Sequence, residues 1–547
     1  MANRWYRNAV MYSLDVGLFQ DSNLDGVGDL AGLVSRLDYL SRLGVTTLWL
    51  GPLHPSPRRD GGYDVVDYYG VDPRFGTLGD LAQLLNEADE RGIRVVLDLV
   101  LNHTSDQHPW FQAARTSRDS PYRDWYVWSD EEPPDRWDGQ VFPGVEKETW
   151  TWDEPAGAWF RHRFYTFEPD LNTDNPAVRT EIHKIVEFWL RLGVYGFRID
   201  AAPFLIENRN GDPNAPRKDY AFLHDLWETT SWNRGDAILL AEANVADYEL
   251  LEYFGHNDGS ASRVMMVFAF RLNQAMILAL ARQDASPIKA VLHELPDLPK
   301  HAQWATFLRN HDEVDLGRLS PEEQRDVFEA FGPDGDMQIY DRGIRRRLAP
   351  MLDGDRRRIE LAYSLLFTMP GTPVIRYGDE IGMGEDLTLT EREAIRTPMQ
   401  WDETPNAGFS DAPPDQLLAP VITEGPYGHE RVNVTDQRRD PNSLLVWLER
   451  LLHTVRECDE IGSGEHEVVD VGPPHVLVHR ATAPRGTMLF LHNLADTPCR
   501  ISVGEQPDQD ERPLNVAADA DYGDDVDLDG INLRGFGYRW LRLCRRP

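Results

Sequence analysis

Four short stretches of the chain end an apolar run in groups that can hold or move a proton: "DLVLNH" (98–103), "GFRIDA" (196–201), "LLAEAN" (239–244) and "FLRNHD" (307–312). An ordinary buried strand has little reason to finish this way. Asp200, Glu242 and Asp312 suffice for glycoside hydrolysis or transfer. Cleaving an acetal needs one carboxylic acid to protonate the leaving oxygen and one carboxylate to attack or to activate water. The third acid can steady the cation-like sugar. Arg198 shares a side with Asp200, because strand side chains alternate with period two, and is expected to keep Asp200 ionised by lowering its pKa. Glu242, flanked by apolar residues, is expected to keep its proton and serve as the acid. One such acid alone would be a surface ion-pair partner. Three acids, two histidines (His103 and His311) and an arginine at the ends of four apolar runs are not accounted for in that way.

What must position them is a set of strands. "AVMYSL", "VTTLWL", "IRVVLDLVL", "YGFRID", "AILLAE", "VMMVFAF", "WATFL" and "TPVIRYG" are eight β-rich runs that alternate with helical patterns. In "DLAGLVSRLDYLSRLG", Leu30, Leu33, Leu37 and Leu40 recur at helical spacing and Gly44 offers a stop; "RTEIHKIVEFWLRLG" is a second such helix. Eight strands with covering helices predict a TIM-type (β/α)8 barrel, an α/β fold whose site gathers at the C-terminal strand ends. Asn102, Asn244 and Asn310 turn polar at that same end.

Two interruptions break the pattern. Residues 104–175 are too long for an ordinary loop and read as an inserted subdomain after strand 3. Residues 313 to about 350 form a second charged insertion. Beyond Arg456 the tail changes to short alternating runs separated by Gly, Pro and Asp, a C-terminal antiparallel β-sandwich. The expected division is 1–103 with 176–458 for the barrel, 104–175 for the insert and 459–547 for the sandwich.

The chain has 547 residues and a net charge of −35, from 56 Lys and Arg against 91 Asp and Glu. Such acidity repels phosphate backbones and anionic membranes, so neither nucleic acid nor a membrane is an expected partner. Cys458, Cys499 and Cys544 lack metal or disulfide spacing. With no leader-like segment and no long apolar run, the chain reads as soluble and cytoplasmic, and self-association stays open.

The four quoted stretches resemble the four ordered sequence blocks of the α-amylase superfamily, the retaining α-glucoside enzymes of glycoside hydrolase family 13. "GGYDVVDYYGVDPRFGTLGDL" and "IRTPMQW" resemble its oligo-1,6-glucosidase branch, while "LNHTSDQHPWFQAAR", "GIRRRLAPMLDGDRR" and "RYGDEIGMGEDL" resemble the branch that isomerises maltose to trehalose. The resemblance implies that Asp200 is the nucleophile, Glu242 the general acid/base and Asp312 the transition-state stabiliser. It implies further that His103 and His311 donate to sugar hydroxyls, that Tyr63 stacks under the ring, and that Asp60 and Arg396 grip the far end of a terminal glucose. Ala201 stands where α-1,6-specific relatives carry valine, which favours α-1,4 or α,α-1,1 bonds. "EPDLN" places Glu168 where the isomerising branch carries glutamine. A glucosidase or trehalose-hydrolysing relative is the alternative, and a non-catalytic amylase-like binding protein a more distant one. That last would be expected to have lost one of the carboxylates.

"DSNLDGVGD" (21–29) carries oxygen-bearing side chains at alternate positions and a glycine at the sixth, as the opening of an EF-hand loop does, but Gly32 stands where its final Glu would be. By composition alone, a set of Asx turns is the alternative. The resemblance implies a structural Ca²⁺ held by Asp21, Asn23, Asp25 and Asp29 with the Val27 carbonyl. No catalytic metal and no organic cofactor are expected.

Overall fold

All eight expected strands form. In the computed structural model, which describes residues 4–209, 217–255, 262–504, 511–523 and 526–545, they are β1 (Met11–Leu14), β2 (Thr47–Leu50), β3 (Arg94–Leu99), β4 (Gly196–Ile199), β5 (Ile238–Ala241), β6 (Met266–Phe268), β7 (Gln303–Phe307) and β8 (Thr372–Arg376). They close in chain order into a parallel barrel, β8 pairing with β1. The strands are buried nearly throughout, as a sheet covered on both faces requires. Gly196 opens β4 at φ 139°, and a Cβ there would meet the Ile238 carbonyl oxygen at 2.0 Å, so only glycine lets β4 and β5 close up.

The helices follow their capping signals. Pro176–Leu192 begins with Asn175 accepting from the Ala177 N–H and stops at left-handed Gly193. The helix expected across residues 29–44 is instead two, Leu30–Ser35 and Leu37–Leu43, broken at Arg36. There the Arg36 guanidinium bonds Gln20 Oε1 and lies 4.0 Å over the Trp401 ring. Tertiary contacts at one residue outweigh the continuous leucine spacing.

Residues 104–175 hold a helix (Pro109–Thr116) and a small antiparallel sheet of Trp128–Ser129, Ala158–Arg161 and Trp150–Asp153. The second insertion carries the helix Pro321–Phe331 and three two-residue strands. After the helix Leu444–Glu457, a five-stranded antiparallel sheet packs on the barrel. Leu477, Phe490 and Trp540 join the barrel core, while the alternate residues Val476, Val478, Leu489 and Leu491 face Ile501, Ile531 and Leu533 in a second core. Two layers with one apolar face shared between them make this the expected sandwich. No helix among the described residues is long and apolar enough to cross a membrane.

Candidate active site

Period two in β4 puts Arg198 and Asp200 on one side, and the register pairs Arg198 with Asp98 of β3. The Arg198 guanidinium is the hub. Its Nη1 donates to Asp98 Oδ1 and to Asp200 Oδ1, both at 2.7 Å, and its Nη2 lies 2.8 Å from Glu242 Oε2. Glu242 also accepts the Ala201 N–H at 3.0 Å. Ala201 is left-handed, at φ 47° and ψ 39°, a conformation that a β-branched residue would adopt only at greater cost. This gives a backbone reason for alanine after Asp200. Asp98 is a functional residue that sequence reasoning missed; its signal is a charge within the apolar run of β3.

Sharing changes the electrostatics. Arg198 does draw Asp200 down, as expected from sequence, yet the carboxyl is pushed well above the usual carboxylate range. Burial is the main cause; Arg198 opposes it, and Glu242, Asp98 and Asp312 add to the rise. Burial likewise raises Glu242 and Asp98 against the same arginine. One cation cannot neutralise three buried carboxylates, so the set titrates together and retains a proton. A donor and a nucleophile standing on two arms of one guanidinium need that division.

Asp312 is held the other way. Burial opposes its charge, but the Arg392 and Arg396 guanidinium groups hold it well below the usual range, with His311 Nε2 3.1 Å from its Oδ2. Arg392 donates to Asp312 Oδ1 and Asp60 Oδ1, both at 2.7 Å. Arg396 reaches Asp312 at 3.2 Å and Asp60 only at 3.8 Å, and its Nε donates to the His311 carbonyl. The grip on Asp60 therefore belongs chiefly to Arg392, with Arg396 behind it. Sequence reasoning missed Arg392, which lies in a single 3-10 turn, Glu391–Ile395, too short for any periodicity to mark it. His311 is stacked on Tyr63 with ring centroids 5.5 Å apart, and burial holds its imidazole neutral. The Tyr63 hydroxyl donates to Asp98 at 2.8 Å.

Asp60, Tyr63, His103, Asp200, Glu242, His311 and Asp312 all line one cavity of about 490 Å³ at the C-terminal end of the barrel. Arg198 and Arg396 stand behind this wall. Glu313 joins it, its carboxyl pushed up to about 7 by burial. Three segments meet as a roof. The Phe142 ring lies 4.7 Å from that of Tyr165 and 4.8 Å from that of Tyr340, and both tyrosine hydroxyls donate to Glu391 Oε2, at 2.5 and 2.9 Å. Tyr340, Asp341 and Glu391 all have positive φ, so this junction carries backbone strain.

The 21–29 loop lies away from the cavity. Asp21 accepts from the N–H groups of Asn23, Leu24 and Gly26 and from the Ser410 hydroxyl. Asn23 and Asp25 accept from the amides of Asp25 and Val27, and Asp29 caps the next helix through the Gly32 N–H while holding Ser22. Among the described residues, no group of three or more His, Cys, Asp or Glu side chains is arranged to hold a metal ion.

A model of the α-amylase catalytic domain matches residues 17–326 and 345–464. A trehalose synthase of Pimelobacter sp. (strain R48) is 40% identical over 98% of this chain and 96% of its own. An oligo-1,6-glucosidase of Parageobacillus thermoglucosidasius is 30% identical over 91% of each chain. Among solved structures, an α-amylase from H. orenii superposes with a TM-score of 0.79 at 26% identity, covering 98% of this chain and 99% of that one.

Proposed function

Because the chain belongs to the α-amylase family, we propose that it is a retaining α-glucoside enzyme, a trehalose synthase that isomerises maltose to trehalose. The observation that carries the chemistry is the single guanidinium of Arg198 spanning Asp200 and Glu242 across from an ionised Asp312. Glu242 gives its proton to the glycosidic oxygen as Asp200 attacks the anomeric carbon, breaking the C–O bond and forming a β-glucosyl ester. Asp312, kept charged by Arg392 and Arg396, faces the cation-like transition state. The freed glucose turns within the site and attacks the ester through its anomeric hydroxyl; Glu242 takes up that proton, and Asp200 leaves as a carboxylate. No water is consumed. The Asp60–Arg392 pair closes the far end of the cavity, which suits a single terminal glucosyl unit, and the roof suits a site that must keep water from the ester. The greater likeness to a trehalose synthase than to an oligo-1,6-glucosidase supports the isomerising second half.

Incubating the protein with maltose and, separately, with trehalose tests this. Interconversion with little free glucose is the expected result. Glucose as the sole product would make the protein a hydrolase on the same first half-reaction.

Calcium in the 21–29 loop is part of the same reading. Asp21, Asn23, Asp25, the Val27 carbonyl and Asp29 make a set of hard oxygen donors suited to Ca²⁺, and the ion would pin the start of helix Leu30–Ser35. Asp21 and Asp29 would share with it the lone pairs that now take amides. Thermal unfolding with chelator and with added Ca²⁺ is expected to show stabilisation by the ion; identical curves would remove calcium from the reading. A cytoplasmic location fits the free thiols Cys458 and Cys499.

A further inference from the structure

The turn leading from the first insertion back to the barrel buries a carboxyl that the mechanism above leaves unused. Glu168 is fully buried. Its N–H donates to the Tyr165 carbonyl at 2.8 Å, and its Oε2 accepts the Tyr165 N–H at 3.2 Å. The other oxygen, Oε1, has no hydrogen-bond partner, nor has Nε2 of buried His103, 3.8 Å away. On the far side of that ring, Asn102 Oδ1 accepts from Arg209 and its Nδ2 donates to Asp170, with Nδ2 also 3.3 Å from His103 Nδ1. Nδ1 is thus an acceptor, and the imidazole proton sits on Nε2.

An unpaired buried polar atom costs about 1–3 kcal/mol, so two side by side call for a common partner. An oxygen about 2.8 Å from each makes a closed triangle with the observed separation as its third side. One hydroxyl oxygen, with two lone pairs, meets that requirement. His103 lines the cavity, as does Asp60. We propose that Glu168 is a substrate-binding residue acting as a carboxylic acid. Its Oε1–H and the His103 Nε2–H form a two-pronged donor for one hydroxyl of the glucosyl unit, which donates its own hydrogen bond to Asp60. The inference rests on the α-glucoside reading of the cavity.

Both prongs are in the required form near neutrality. Burial, then Asp60 and Asp64, push Glu168 well above the usual carboxylate range, opposed by the Tyr165 N–H and by Arg392. Burial pushes His103 down to about 4 against Asp170, Asp60 and the Tyr63 backbone carbonyl, with Arg209 adding to the fall. These are the charged groups facing the pair, from the segment after β2, the end of β3, the turn itself and the loops around it. As pH rises through the Glu168 titration, the Oε1 proton is lost and a negative charge appears beside Asp60, so the affinity for a sugar falls.

The test compares the wild type with Glu168→Gln and Glu168→Leu, measuring glucose binding by calorimetry across neutral and alkaline pH, and maltose turnover. Glutamine keeps a carbonyl for Tyr165 and an N–H for the hydroxyl, so it should bind within about twofold of wild type at neutral pH and lose the alkaline decline. Leucine should weaken glucose binding and raise KM at least about tenfold, with a smaller change in kcat. Wild-type affinity and pH dependence in Glu168→Leu, or equal loss in both variants, would overturn the proposal, as would a wild type that binds no glucose. Should Glu168→Leu not fold, the alkaline difference between wild type and Glu168→Gln decides alone. Glucose binding without disaccharide turnover would sink the enzymatic reading and still report on Glu168.

Discussion

Asp200 and Asp60 face the same cavity but arrive there by different routes. Asp200 stands at the end of β4, one step of the pleat beyond Arg198, in a layer where each strand pairs with its neighbour in chain order. Asp60 sits in a loop and is held by Arg392, 332 residues further along the chain. The reacting centre is thus anchored by the barrel's hydrogen-bond ladder, while the sugar-gripping wall is anchored by side chains alone. Chemistry here depends on a rigid frame, and selectivity on loops that must find one another.

The sharpest break in that contrast is at the frame. Asp200→Asn should lower kcat by about 10⁴-fold or more, with the fold intact by circular dichroism. Unchanged turnover would remove the nucleophile from Asp200. Glu242→Gln should cost about 10²–10⁴-fold on maltose. The same variant should still form the ester from α-glucosyl fluoride, whose leaving group needs no proton. Because burial raises Glu242, the acid keeps its proton further toward neutral pH and is lost as pH rises through that value. The alkaline limb seen with maltose should accordingly be absent with the fluoride in this variant.

At the wall, Arg392→Ala should lower kcat/KM by about 10²-fold, since it frees Asp60 and loosens Asp312 together. A loss confined to KM would mean that Asp312 is held without it. Tyr340→Phe removes one donor from Glu391, worth about 1 kcal/mol. Its expected effect is a few-fold rise in glucose released per trehalose formed, measured by chromatography; an unchanged ratio would separate the roof from the exclusion of water.

The same contrast explains what could be read in the chain. Strands β1 to β8 announce themselves because burial on both faces demands continuous apolar runs, and Arg198, Asp200, Glu242 and Asp312 stand out as exceptions at their ends. Arg392 has no such background to stand against. The break at Arg36 was illegible because its cause, Trp401, lies hundreds of residues away. Nor could the spacing of Arg198 and Asp200 show how completely Asp200 is buried, or that Asp98 and Glu242 share the same guanidinium, which together turn Asp200 upward. The family resemblance supplied Asp60 and Arg396 as a sugar-gripping pair but not Arg392, one helical turn before Arg396, which holds Asp60 most closely.

The roof brings together Phe142 and Tyr165, Tyr340, and Glu391 from three distant parts of the chain. During synthesis, the ribosome releases Asp200 and Glu242 well before Glu391 and Arg392, so a nascent chain owns its reactive acids before it owns a chamber to shelter them. On heating, the order reverses. The roof, strained and tied by a few hydroxyls, is expected to give way before the barrel ladder does, so that the share of transfer over hydrolysis should fall at a lower temperature than that at which the fold is lost.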